Sequence, residues 1–138
     1  MQKDDCIFCK IASGKIPSAK VYEDKGVISF LDIAPANKSH CLVLPKQHYV
    51  TLMDIPDAEL QRLFVISKKV VRAISSSCGN QSFNILMNNG KDAGQVVEHA
   101  HIHLIPRFSR DGLRFNWRPK KYKGDEISEI KDKIKKFL

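Results

Sequence analysis

The segment Glu98-His99-Ala100-His101-Ile102-His103-Leu104-Ile105-Pro106 decides how this chain is read. Three of the chain's five histidines fall in it, at alternate positions. Successive residues of a β-strand point to opposite faces. Read as a strand, the segment puts three imidazoles on one face and Ala100, Ile102 and Leu104 on the other. The second face is core. The first carries three groups spaced about 6–7 Å apart, each able to titrate near neutral pH. Packing does not explain three imidazoles in a row. Nucleophilic catalysis, proton transfer, anion binding and metal ligation all do.

Working outward, hydrophobic periodicity supplies the other elements. Residues 82–87 read as the strand before the histidine segment, separated from it by the glycine-bearing loop 88–94. The longest regular element spans residues 56–77, with Leu60, Leu63, Phe64, Ser67, Val70, Val71 and Ile74 on one buried helical face. Asp57 and Glu59 suit its N-terminal dipole, and Cys78-Gly79-Asn80 stops it. Strands are expected over 21–23 and 27–31, about the turn Asp24-Lys25-Gly26, and over 40–45, with a loop over 32–38. The histidine strand runs to Arg107. Residues 5–13 form a short helix or turn carrying Cys6-x-x-Cys9, stopped by Gly14. A basic irregular tail over 109–124, anchored by Trp117, leads to an amphipathic helix of Ile127, Ile130, Ile134 and Phe137. Strands joined by short turns around one long helix imply an α+β fold on an antiparallel sheet.

At 138 residues this is one domain, with a core over 4–108 and a basic C-terminal extension over 109–138. Hydrophobic residues make up 43% and charged residues 28%, as in a soluble globular protein. The polar N-terminus lacks a signal peptide's apolar stretch, and no apolar run approaches a membrane span, so the expected location is the cytoplasm. Four cysteines in that setting argue against disulfides. The net charge of +8 suits phosphate-bearing ligands. Much of it lies in Lys120, Lys121 and Lys123 and in Lys131, Lys133, Lys135 and Lys136, where it reads first as a solvated surface. Nucleic acid is not the expected partner.

The run His99-Ala100-His101-Ile102-His103-Leu104-Ile105 resembles the signature of the histidine-triad superfamily, in which histidines alternate with apolar residues. The likeness extends to Cys6-Ile7-Phe8-Cys9-Lys10-Ile11, Gly14-Lys15-Ile16-Pro17, Phe30-Leu31-Asp32-Ile33-Ala34-Pro35, His40-Cys41-Leu42-Val43-Leu44-Pro45-Lys46-Gln47-His48 and Asn88-Asn89-Gly90-Lys91-Asp92-Ala93-Gly94-Gln95. It is strongest with the nucleoside phosphoramidase branch, in its zinc-binding, prokaryote-like form. That resemblance implies a five-stranded antiparallel sheet with one long helix and a C-terminal helix, paired with a second copy in a homodimer.

The resemblance also implies a hydrolase or transferase attacking the α-phosphorus of a purine nucleotide substrate, a nucleoside 5′-phosphoramidate, through a nucleotidyl-histidine on His101. His103 and His40 would support the phosphate, and Asn88 and Gln95 would orient it. Asp32 would accept from the ribose hydroxyls, and Ile7, Phe8, Ile11, Phe30 and Ile33 would hold the base. Cys6, Cys9, His48 and His99 would bind a structural zinc; no organic cofactor is implied. Two positions depart from the pattern: Val96 replaces a hydroxyl residue, and Glu98 stands where an aromatic is common. Three other readings compete. Dinucleoside polyphosphate hydrolysis needs the same attack on phosphorus. A catalytic metal held by His-x-His would need an open coordination position. A nucleotide- or nucleic-acid-binding module would use the basic tail.

Overall fold

The computed structural model describes residues 3–115 and 118–138, so Trp117, the expected anchor of the tail, lies outside the described residues. Along the chain come α1 (Ile7–Ala12), β1 (Lys20–Glu23), β2 (Val27–Leu31), β3 (Cys41–Pro45), α2 (Asp57–Cys78), β4 (Phe83–Leu86), β5 (Ile102–Pro106) and α3 (Glu126–Lys135). The five strands form one sheet in the order β1-β2-β3-β5-β4, with every neighbouring pair antiparallel. This is the expected α+β fold. Among the described residues, no helix is long and apolar enough to cross a membrane.

Both faces of the sheet centre are covered, and strand alternation sorts side chains between them. Cys41 and Val43 of β3, with Val27, Ala100, Ile102 and Leu104, pack under α2 against Leu63, Ile66, Val70 and Val71. Leu42 and Leu44, with Ile28 and Phe30, pack on the opposite face against Phe8, Cys9, Ile11 and Ala12 of α1. Helix α2 begins after Pro56, whose carbonyl accepts from the N–H groups of Glu59 and Leu60. It ends at Gly79, in the left-handed conformation (φ 65°) that glycine adopts without strain.

Two sequence readings are corrected by this packing. Phe64 is not in the core: it is 45% exposed, and it lines a groove with Phe83 and Ile85 at the β4 edge. Ile66 takes its place on the buried face. The histidine strand begins at Ile102 rather than at the first histidine, because the Ala100 N–H donates to the Tyr49 carbonyl (2.7 Å) and the His99 N–H to Val97 (2.8 Å). The C-terminal helix forms, but none of its residues is buried; Ile127 and Ile134 are more than half exposed.

The segment that bears the histidines is held by its apolar side. Leu104 is 1% exposed and sits under α2. Leu104→Ala is expected to cost about 3 kcal/mol through lost burial and a residual cavity. Urea unfolding measures it, and a loss below about 1 kcal/mol would contradict this packing.

Candidate active site and metal site

His40, His101 and His103 come together where β3 and β5 lie side by side. The His101 and His103 ring centroids are 4.8 Å apart, and those of His40 and His103 are 5.1 Å apart. The Phe8 ring meets His101 edge-on at 5.0 Å, and it also touches His99 (6.0 Å) and Phe30 (5.8 Å). His40 and His101 are buried, while His103 is partly exposed.

Hydrogen-bond partners assign the tautomers. His101 Nδ1 lies 2.6 Å from the His99 carbonyl oxygen, which can only accept. Nδ1 therefore carries the proton, and Nε2 keeps a bare lone pair. At His40 the order is reversed. The Ala36 N–H donates to His40 Nδ1 (3.1 Å), so His40 Nε2–H donates to His103 Nδ1 (3.0 Å). His103 is left with a protonated Nε2. Burial pushes all three imidazoles down in pKa, His103 to about 4, with His101 and His40 adding to the effect there. Asp32 Oδ2 stands 3.7 Å from His40 Nδ1. Although that contact raises the affinity of His40 for a proton, desolvation outweighs it, so the contact joins a carboxylate to a neutral ring and is not an ion pair.

The remaining sequence-derived residues divide. Asp32 shares the histidine corner, and its Oδ1 accepts from the Ala34 N–H (2.8 Å). Phe8, Ile11 and Phe30 are core residues of the imidazole face. Ile7 and Ile33 face solvent, Ile33 almost completely. In the 88–95 loop, the Gln95 amide is engaged within the fold: Oε1 accepts from the Gly90 N–H (2.7 Å), and Nε2 donates to the carbonyls of Val50 (2.6 Å) and Val97 (3.1 Å). Asn88 Nδ2 donates to the Gly94 carbonyl (3.4 Å). Val96 is 92% exposed and offers no donor. The groups that set the His101 and His40 tautomers are a backbone carbonyl and a backbone N–H, which leave no side-chain signal in a sequence.

Next to this corner, donor atoms of Cys6, Cys9, His48 and His99 all lie within 4.8 Å of one another. His99 Nδ1 is 3.5 Å from each sulfur, and His48 Nδ1 is 3.4 Å from Cys9 Sγ. Tetrahedral zinc, with bonds of about 2.3 Å to sulfur and about 2.0 Å to nitrogen, separates such ligands by about 3.6 Å. The His99 Nε2 proton goes to the Pro45 carbonyl (2.8 Å), turning the Nδ1 lone pair to the sulfurs. Burial raises the Cys9 thiol pKa, so a cation is what its thiolate form needs. The donor set fits a closed Cys₂His₂ zinc site.

Known proteins match this chain over most of its length. The family described as HIT domain matches residues 13–110. The chain is 38% identical to the adenosine 5′-monophosphoramidase HNT1 of Candida albicans, over 96% of this chain and 91% of that one. A solved HIT family structure from Bacillus subtilis superposes with a TM-score of 0.91 at 42% identity, covering 98% of each chain. A zinc-bound histidine triad family protein from Mycobacterium smegmatis gives 0.76 at 37% identity, covering 84% of each.

The depressed pKa of His103 has a consequence for stability. Between its folded value of about 4 and its ordinary value of 6.5, the unfolded chain binds the proton more readily than the folded chain. The contribution of the neutral ring is complete above about pH 6.5 and is lost as pH falls towards 4. His103→Gln should therefore flatten the fall of Tm across that window. An unchanged slope would contradict the desolvated neutral imidazole.

Proposed function

We propose, from the premise that this chain belongs to the HIT domain family, that it hydrolyses nucleoside 5′-phosphoramidates and releases the nucleoside monophosphate. The observation that carries the reading is the bare Nε2 of His101, fixed by the Nδ1 bond to the His99 carbonyl. A neutral imidazole with a committed Nδ1–H is a nucleophile at neutral pH. Burial favours that neutral form. Relatives at about 40% identity carry the name adenosine 5′-monophosphoramidase, which supports a purine base in the substrate.

In the first step Nε2 of His101 bonds to the α-phosphorus and the P–N bond of the substrate breaks. The departing nitrogen takes up a proton from solvent and leaves as an amine. The His103 Nε2–H is the free donor of the His40–His103 pair and serves the phosphate oxygens, while His40 holds it in that tautomer. Water then attacks the same phosphorus. The P–Nε2 bond breaks, its electron pair returns to His101, and the proton of the water leaves to solvent. Asp32 receives the ribose hydroxyls, with Ile7, Phe8, Ile11, Phe30 and Ile33 on the base side. Asn88 and Gln95 shape the phosphate loop, where Val96 supplies no side-chain contact.

Cys6, Cys9, His48 and His99 would hold zinc. Bound there, the ion would be saturated by protein donors and supply structure, not an activated water. These residues tie α1 to the segment leading into His101. A second copy would join at the β4 edge, where Phe83 and Ile85 lie exposed beside Phe64 of α2. The expected setting is the cytoplasm, in keeping with four free cysteines.

Two experiments separate these roles. With an adenosine 5′-phosphoramidate, His101→Ala should lower kcat/KM at least about a thousandfold; activity within tenfold of wild type would remove His101 as nucleophile. Purified protein should carry stoichiometric zinc, and Cys6→Ser should lose it. Chelation should lower Tm while the protein that stays folded still turns over. Immediate loss of turnover on chelation would favour a catalytic metal.

A further inference from the structure

Just beyond β5, where the sequence reads as the start of a basic extension, Asp111 is a hydrogen-bonding hub, half-buried with its side chain largely covered. Its side chain is 7% exposed. Oδ2 accepts from Arg107 Nε (2.7 Å), Asn37 Nδ2 (2.9 Å) and the Phe108 N–H (3.1 Å). Oδ1 accepts from Arg107 Nη2 and the Leu113 N–H, each at 3.0 Å. Arg107 reaches further, donating from Nη1 to Asn84 Oδ1 of β4 (2.7 Å) and from Nη2 to the Leu113 carbonyl (2.5 Å). A carboxylate with this many donors, one of them a guanidinium in fork contact, is firmly held.

Asn37 carries that rigidity to the histidine corner. Its Nδ2 also donates to the Pro106 carbonyl at the end of β5 (2.9 Å), and its own carbonyl accepts the His40 N–H (3.1 Å). The 32–40 loop it belongs to begins at Asp32, ends at His40 and includes Ala36, whose N–H sets the His40 tautomer. The backbone bears a second mark. Ser39 (φ 66°) and Arg110 (φ 61°) are the non-glycine residues in the left-handed region among the described residues. They directly precede His40 and Asp111. Residues with a β-carbon stay in that conformation where surrounding contacts over-determine it.

We propose that Asn37 and Asp111 are positioning residues: the Arg107–Asp111–Asn37 clasp locks the 32–40 loop to the end of β5 and so sets Asp32 and His40 in register with His103. Neither residue touches the reacting atoms. The proposal rests on the reading that Asp32 meets the ribose hydroxyls. It gives the first residues of the extension a share in substrate specificity, beyond the charge of the tail.

The test compares steady-state kinetics on adenosine 5′-phosphoramidate and its 2′-deoxy counterpart. The full-length variants are Asn37→Ala, which leaves Arg107 and Asp111 paired, Asn37→Asp, which keeps the size but loses the donor, and Asp32→Asn. Both Asn37 variants should raise KM for the ribose substrate about tenfold, as expected for a loop displaced by a fraction of an ångström, with a much smaller change in kcat. Their preference for ribose over deoxyribose should fall towards that of Asp32→Asn. A purely bracing role would lower Tm and leave that preference untouched. If Asp32→Asn loses the preference and both Asn37 variants keep it, together with wild-type KM, the clasp proposal alone is overturned. If Asp32→Asn itself keeps the preference, the ribose reading falls and takes the proposal with it.

Discussion

The bond from His101 Nδ1–H to the carbonyl of His99, 2.6 Å long and buried, is the constraint on which the site depends. It costs the backbone its place in the sheet. With the His99 carbonyl turned to an imidazole and the Ala100 N–H turned to Tyr49, the ladder starts only at Ile102. In exchange, one ring nitrogen is fixed as a donor and the other is left with a free lone pair. A histidine on a regular strand would have no such orienting partner within its own segment.

His99 serves both centres from one residue. Its carbonyl orients His101, and its ring faces Cys6 and Cys9. Phe8, from the helix that carries Cys9, packs its edge on both His99 and His101. The Cys6, Cys9, His48 and His99 cluster and the His101 ring are thus two ends of one packed unit. A change in how α1 sits would be felt at His101 through the Phe8 ring and through the His99 backbone. On the other side of the sheet, the packing of Ala100, Ile102 and Leu104 under α2 fixes the height of the same segment.

Much of this was legible in the sequence, because it rests on periodicity. Alternation at 99–104 separates imidazoles from core, and the 3.6-residue stripe of α2 finds Leu63, Ser67, Val70 and Val71. The residues that converge from distant segments, His40 and the Cys6, Cys9 and His48 set, were found through resemblance, since no local pattern joins residues 90 positions apart. What stayed hidden follows from features with no side-chain signature. Phe64 fits the apolar stripe as well as Ile66 does; only the position of the β4 edge decides which is covered. Gln95 reads as a phosphate-orienting amide, yet its hydrogen bonds to Gly90, Val50 and Val97 appear only once the loop is closed. Asp111 lies in the basic tail as the sequence reads it, and its hydrogen bonds depend on Arg107 and Asn37 arriving together.

The central claim is that His101 forms the bond to phosphorus. The most direct measurement is to mix the enzyme rapidly with adenosine 5′-phosphoramidate, quench in alkali, digest, and locate the adenylyl group by mass spectrometry. The group is expected on His101, in the peptide that contains Ile102–Pro106, appearing and decaying at rates that account for turnover. Turnover with no adenylylated peptide, or with the label on His40 or His103, would contradict the assignment of the nucleophile.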